Sequence, residues 1–529
     1  MKAKMDFYPT QAFFKDARDV SFRLTSTTPF PAGSRLRLQI FHLDQLLQTY
    51  TLTLPANQTK ATLAASLEHL PANFLPVQGL GFSAVCRVRL GSGQIKNLST
   101  AFDLSASWHG QPRYGYLCDF KPERQDSEIA VEELLKFHIN GLQFYDWQYR
   151  HEQLMPKETL YKDVLGRSLS LKVVRELMDA AQQRGMACMP YLAIYGASLA
   201  YWRKHQKDAL YDAGGRPELF HDFLGLMNPA PQSAWSDHLA GECDHVLEEL
   251  TFDGLHIDQY GQPHKVFDSS GQPVDLPQAF VSFVDRVKNA HADKSVVFNA
   301  VDNWPIEALC RSRQDFMYIE IWPPSVQYSD LLEIILNAQR LSDRKPVVLA
   351  LYIPAAWTAN ARLSSALIFA AGATRIELGE GARYLSDPYF PKHQALSPAL
   401  YKSLRRYYDF TVAYREWLQP DEETANCEVT SPPDVLALTN RSGSRRIIQL
   451  LNISSISAPR WDKRHNSPQI LRDVSITVSL SKAPLRVFTA SADAASPQLQ
   501  PLPFTYSNGT CSFTLPRLKY WSMISIETE

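Results

Sequence analysis

The sequence contains no run of about 18 apolar residues, and its first twenty positions carry no apolar leader segment. The first absence excludes a membrane-spanning helix, and the second sets a cytoplasmic location as the expectation. A secreted chain trimmed of its leader would read the same way. Charge of one sign is also missing. Lys and Arg total 54 against 55 Asp and Glu, a formal net charge of −1. No basic excess points to nucleic acid or an anionic membrane surface, so a neutral substrate is expected. The seven cysteines, Cys86, Cys118, Cys188, Cys243, Cys310, Cys427 and Cys511, are odd in number and widely spaced, with no CxxC pair. That pattern suits buried, reduced thiols rather than a disulfide or zinc framework. There is no GxSxG elbow, HExxH helix, P-loop, internal repeat or low-complexity tract, which removes several hydrolase and nucleotide-binding classes. The histidines His138, His151, His256 and His264 show no metal-ligand spacing.

What is present reads as three regions. A chain of 529 residues is expected to hold two to four domains. Residues 1–108 carry short alternating segments such as Arg35–Ile40 and Ala84–Leu90 between glycine and proline turns. They predict an immunoglobulin-like β-sandwich without a site of its own. Over 109–420 the pattern switches to strands alternating with amphipathic helices, eight times. The prediction there is a central (β/α)8 TIM barrel. An open doubly wound sheet is the alternative, but no glycine-rich phosphate turn follows an early strand. Residues 421–529 return to short strands and predict a C-terminal antiparallel β-sandwich.

The organising stretch is Phe252–Gly261, a short apolar strand ending in a carboxylate and a glycine turn. Leu255 and Ile257 alternate with His256 and Asp258, so the two polar side chains share one face. In a barrel, Asp258 would lie at the carboxyl end of a strand, where such folds keep their chemistry. Other predicted strand ends carry Asp119, Tyr145, Asp146, Trp147, Tyr191, Asn299, Glu320, Trp322, Tyr352, Glu377 and Glu380. Carboxylates and aromatic rings around one mouth suit a sugar-cleaving site, with rings against pyranose faces. Glycoside hydrolysis needs one protonated carboxyl to assist the leaving oxygen and a second to attack carbon or activate water. Asp258 and Glu320 sit on different strands and form the leading pair; Asp146, Glu377 and Glu380 compete with them. Apolar neighbours in Tyr318–Trp322 suit a raised pKa at Glu320, as a general acid requires.

Several motifs also resemble those of glycoside hydrolase family 66. They are Phe102–Trp108 running into Pro112–Leu117, Asn140–His151, Gly254–Gln259, Tyr318–Trp322, and Glu377–Glu380 with Tyr389–Pro391. The resemblance spans the whole predicted barrel. It implies a retaining enzyme acting on α-1,6-linked glucan, either dextran or isomaltooligosaccharides, through a covalent glycosyl-enzyme intermediate. It further implies Asp258 as nucleophile and Glu320 as acid/base. Tyr145, Asp146, Trp147, His256, Gln259, Asn299 and Trp322 are then expected to bind substrate. Neither a metal nor a cofactor is required, and a structural calcium is left open. No connection is long enough to hold the carbohydrate-binding module that the family's transferases insert in their barrel, which favours hydrolysis. A glucanotransferase making or opening cyclic isomaltooligosaccharides is the alternative. A non-catalytic glucan-binding protein is a third reading, opposed by the presence of both carboxylates.

Overall fold

The computed structural model describes residues 4–67, 79–419, 428–454, 456 and 459–528. Cys427 and the expected boundary at 420/421 lie outside them; the six described cysteines are all buried and free. At the N-terminal end, Met5–Pro9, Ser21–Ser26 and Lys60–Ala64 form a three-stranded sheet. Arg35–His42, Gln45–Thr53, Leu80–Arg89 and Ile95–Leu104 form a four-stranded one. Strict alternation places Leu36, Leu38 and Ile40 inward and leaves Arg35 and Arg37 exposed. Phe7, Phe22, Phe82 and Phe102 fill a core separate from that of the central region.

The central strands in chain order are Tyr114–Leu117, Gly141–Phe144, Ala187–Ala193, Gly254–Asp258, Ser295–Val301, Met317–Glu320 and Val347–Ala350. Each pairs in parallel with the next. At the eighth position there is no single continuous strand. Thr374–Ile376 pairs with the seventh strand, the chain breaks step at Glu377, and Leu378–Gly379 pairs with the first. One short strand therefore serves two neighbours by dividing between them, and the sheet curls until Thr374–Ile376 also touches Tyr114–Leu117.

The intervening helices match the apolar period. In Leu171–Gln182, Leu171, Val174, Leu177, Met178 and Ala181 are buried, as their spacing predicts. Ser170 occupies the N-cap position, but its hydroxyl makes no capping bond. Thr358–Ala370 is buried on all sides, because it lies between the central sheet and the C-terminal strand Arg445–Asn452. Two small antiparallel sheets were not legible in the sequence. One is Leu160–Lys162 with Ser168–Ser170, and the other joins Gly196–Ser198, Leu224–Leu226 and Leu219–Phe220.

The C-terminal region packs a four-stranded and a five-stranded sheet. Its strand Trp521–Glu527, flanked by Arg445–Asn452 and Arg486–Ser491, was also missed. Six of its seven residues are buried. Trp521 and Met523 join the central core, whereas Ile524 and Ile526 join the C-terminal one. A strand covered on both faces loses the alternation by which an exposed strand is recognised.

The amino end of the central sheet is filled. Trp108 donates its indole N–H to Ser295 Oγ at 3.2 Å and stacks on Tyr114. A Cβ at Gly141 would stand 2.3 Å from the Trp108 ring, and one at Gly254 would stand 1.9 Å from the Ser295 carbonyl oxygen. The two strands start with glycine because no side chain fits there. Beside this plug, Asp103 accepts from Arg113 through both oxygens at 3.1 Å and from Arg415 at 2.5 Å, all three fully or almost fully buried. Nearby, Asp409 accepts from Thr100 Oγ1 at 3.0 Å and lies 2.8 Å from His138 Nε2.

Candidate active site

The carboxyl end of the sheet brings Asp258 and Glu320 together through one side chain. Asn299, on the strand between theirs, donates through Nδ2 to Asp258 Oδ1 at 2.8 Å and to Glu320 Oε2 at 2.9 Å. The amide nitrogen must face both groups, since it is the donor and they are acceptors. One amide nitrogen therefore holds the two carboxyl groups side by side across the width of its own strand. Each carboxylate has further donors. Tyr191 O–H donates to Asp258 Oδ2 at 2.9 Å, and the Gln259 backbone N–H donates to Oδ1 at 2.9 Å. Tyr352 O–H donates to Glu320 Oε1 at 2.5 Å. Glu320 is buried, and Asp258 is partly exposed.

Burial, then the negative charge of Glu320, push the Asp258 carboxyl up to about 7, against the donors from Tyr191, Asn299 and Gln259. Burial also raises Glu320, opposed by Tyr352, Asn299 and Trp322. Two neighbouring carboxyls that both resist ionisation share protons as a pair rather than titrate separately.

Below this pair lies a layer of interior side chains. His256 stacks on Tyr114 at 5.8 Å, meets Tyr318 edge-on at 4.8 Å, and lies 3.2 Å from the Tyr114 hydroxyl through Nδ1. Burial lowers it to about 3, so its imidazole is neutral. His256, expected among the substrate-binding residues, shares a face with Asp258 but lies one layer deeper, packed among these rings. Trp147, from the same expected set, is also placed in the interior. It is completely buried, donates its indole N–H to the Tyr191 carbonyl at 3.2 Å, and packs on Phe252. The chain turns at Asp146, whose φ is +54°, and sends Trp147 back into the core. Gln259 is buried as well, spanning the Trp304 carbonyl at 2.8 Å and the Gly261 N–H at 3.2 Å. It braces the loop after the fourth strand and presents no group to the opening.

The remaining expected residues reach the mouth. Tyr145 is partly exposed and stacks on Phe390 at 4.3 Å. Asp146 is paired with Arg167 at 3.1 Å; burial lifts its carboxyl to about 6 while the Arg167 charge opposes the rise. Trp322 is partly exposed beside Tyr352, 5.8 Å between ring centres. The competing Glu377 is excluded by position. It is fully buried behind the sheet, accepting from Ser365 Oγ at 2.9 Å with Arg375 at 3.6 Å. Glu380 lies away from the pair, among Cys118, Arg124 and His393. Sequence reading left Tyr191 and Tyr352 among many strand-end residues, and it missed Trp304, which stacks on His264 at 3.6 Å on the loop after the fifth strand. A loop ring carries no periodic signal that would set it apart.

This arrangement brings together in a ring-lined mouth the two carboxyl groups that glycoside hydrolysis requires. The comparisons with known proteins agree with that chemistry. The sequence model described as Glycosyl hydrolase family 66 matches residues 10–525. A cycloisomaltooligosaccharide glucanotransferase from Niallia circulans is 27% identical over 66% of this chain, which covers 38% of that protein. A dextranase from Streptococcus salivarius is 20% identical, with 90% of this chain and 70% of that protein covered. The crystal structure of a Paenibacillus sp. cycloisomaltooligosaccharide glucanotransferase complexed with cycloisomaltoheptaose matches with a TM-score of 0.86. The identity is 21%, over 98% of this chain and 99% of that one.

Proposed function

The chain belongs to glycosyl hydrolase family 66, and on that premise we propose that it cleaves α-1,6-glucosidic linkages of dextran or isomaltooligosaccharides with retention. Asp258 is the nucleophile and Glu320 the acid/base. The central sheet, with its divided eighth strand joining the seventh to the first, serves as the (β/α)8 barrel of this enzyme, with its domain spanning 109–420. The observation that carries the reading is the Asn299 bridge. It supports a carboxyl separation of about 5–5.5 Å, as in retaining enzymes, rather than the wider gap that admits a water in inverting ones.

In the first step, Glu320 gives its proton to the departing glycosidic oxygen while Asp258 attacks the anomeric carbon. The C–O bond to the leaving sugar breaks as an ester to Asp258 forms. In the second step, ionised Glu320 takes a proton from water, the oxygen attacks the same carbon, and Asp258 leaves as carboxylate. Glu320 is the more enclosed of the two groups. The mechanism needs the single proton of the pair on Glu320 and the charge on Asp258, which is partly exposed. Tyr145, Trp304 and Trp322 supply ring faces around the opening, and Asp146 a paired carboxylate.

A second reading uses the same residues with a sugar hydroxyl in place of water. It is favoured by the likeness to glucanotransferases in both sequence and structure. Incubation with dextran and with defined isomaltooligosaccharides, counting reducing ends while separating products, tests both. Rising reducing ends and short linear products support hydrolysis, and the first-formed anomer must be α. Products longer than the substrate, or lacking reducing ends, support transfer. No turnover of any of these substrates, or a β-anomer as first product, overturns the proposal.

A further inference from the structure

A cavity of about 610 Å³ lies apart from the paired carboxylates. It opens at the ends of the first and eighth strands and is lined by Asp119, Arg124, Glu380 and His393, among others. At its wall, Cys118, Glu380 and His393 bring a sulfur, a carboxylate oxygen and an imidazole nitrogen within 4.8 Å of one another. Cys118 Sγ stands 3.6 Å from Glu380 Oε1 and 3.8 Å from His393 Nδ1. In a tetrahedral zinc site, bond lengths of about 2.3 Å to sulfur and 2.0 Å to nitrogen or oxygen put neighbouring ligand atoms roughly 3.5 Å apart. The observed separations are close to those edges before any ion draws the groups together.

The surroundings also suit a metal. The Cys118 backbone N–H donates to Glu380 Oε2 at 3.1 Å, which orients the carboxylate toward the thiol. Arg124 reaches the same carboxylate only at 3.6 Å, because its guanidinium is held by the Asp119 carbonyl at 2.7 Å. Cys118 and Glu380 are buried, whereas His393 is half-buried at the cavity, which gives an ion a route in. Sulfur, imidazole and one carboxylate form a donor set for a borderline-soft divalent cation, not for calcium or magnesium.

We propose that Cys118, Glu380 and His393 bind one zinc-class divalent ion, which clamps the seam where the first strand meets the divided eighth. Binding forms the sulfur–metal bond as the Cys118 thiol gives its proton to solvent. Three protein ligands leave one position for water on the cavity side. The ion takes no part in the proposed glycosidic chemistry.

The test strips the full-length protein with a chelator and titrates it with cobalt(II), then with zinc(II). One equivalent of cobalt is expected to give a thiolate-to-cobalt charge-transfer band and the visible bands of tetrahedral geometry. Zinc should abolish both and raise Tm. Cys118→Ser should lose the charge-transfer band, and His393→Ala should weaken binding at least about tenfold. The proposal is overturned by a wild-type titration without the band, by a band that persists in Cys118→Ser, or by unchanged affinity in His393→Ala. The last variant decides the matter even if Cys118→Ser does not fold, since His393 is only half-buried.

Discussion

The two ends of the central sheet treat buried charge in opposite ways. At the amino end, Asp103 receives Arg113 and Arg415, and Asp409 receives Thr100 and His138. At the carboxyl end, Asp258 and Glu320 share one neutral amide donor, and among the described residues their hydrogen-bond partners include no cation. The same residue type is thus held in place at one end and kept reactive at the other. Hydrogen-bonded partners hold the carboxylates at the amino end in place; at the carboxyl end, burial without a cation raises both carboxyls above their usual range.

The contrast is broken most directly at Asp258. Asp258→Asn should lower turnover on the order of 10⁴-fold or more, without loss of the fold. Its effect on stability has the opposite sign. Because the folded-state carboxyl is raised to about 7, the wild type loses stability as pH climbs from the ordinary carboxylate value of about 4 to about 7, and no further above it. The variant should therefore melt higher than wild type at and above neutral pH, by a margin that shrinks through mild acid and vanishes below about pH 4. A fall in Tm at alkaline pH would contradict the assignment of the carboxyl end as the strained one.

Glu320→Gln should reduce turnover by about 10²–10⁴-fold. Added azide should restore cleavage through an α-directed mechanism at a small side chain, so Glu320→Ala with azide should give a retained glycosyl azide. Recovery of an inverted azide from Glu320→Ala would exchange the two roles.

At the opposite end, Asp103→Asn should cost about 3–5 kcal/mol, because it strands two buried guanidinium groups. Chemical denaturation measures that loss. The kcat of the fraction still folded should match wild type, which separates the structural end from the reactive one.

The smallest expected effect sharpens the contrast within the reactive end. Tyr191→Phe removes a donor that favours ionised Asp258, so its pKa rises and the acidic limb of the kcat/KM profile should move up by about one pH unit. Tyr352→Phe removes a donor to Glu320, which must be protonated, so the basic limb should move up instead. Identical profiles in both variants would show that these hydroxyls do not tune the pair.

Much of this was legible in the chain. Strands one to seven and their helices follow from periodicity, because each helix has one apolar stripe and each strand a buried run. The pairing of Asp258 with Glu320 follows from both lying at strand ends. Depth was not legible: His256 and Asp258 share a face, yet one packs beneath and the other opens to the mouth. Trp147 differs from a ring at the mouth only through the turn at Asp146. Trp521–Glu527 was hidden because burial on both faces erases alternation. Cys118, Glu380 and His393 were beyond reach for another reason. Their meeting depends on the seam between the first and last strands, and no short-range spacing records it.

The Trp108 plug has a consequence for traffic. With the amino end filled, the departing sugar and the incoming acceptor of the proposed reaction both pass through the opening at the carboxyl end. In the proposed mechanism, the lifetime of the covalent intermediate then sets a race at that opening. Water fills it as soon as the first product clears, whereas a chain that lingers on the rings can swing its other end back before water arrives. Whether the enzyme shortens glucans or rejoins them would thus be governed by the residence time of the leaving fragment more than by any change at the carboxylates.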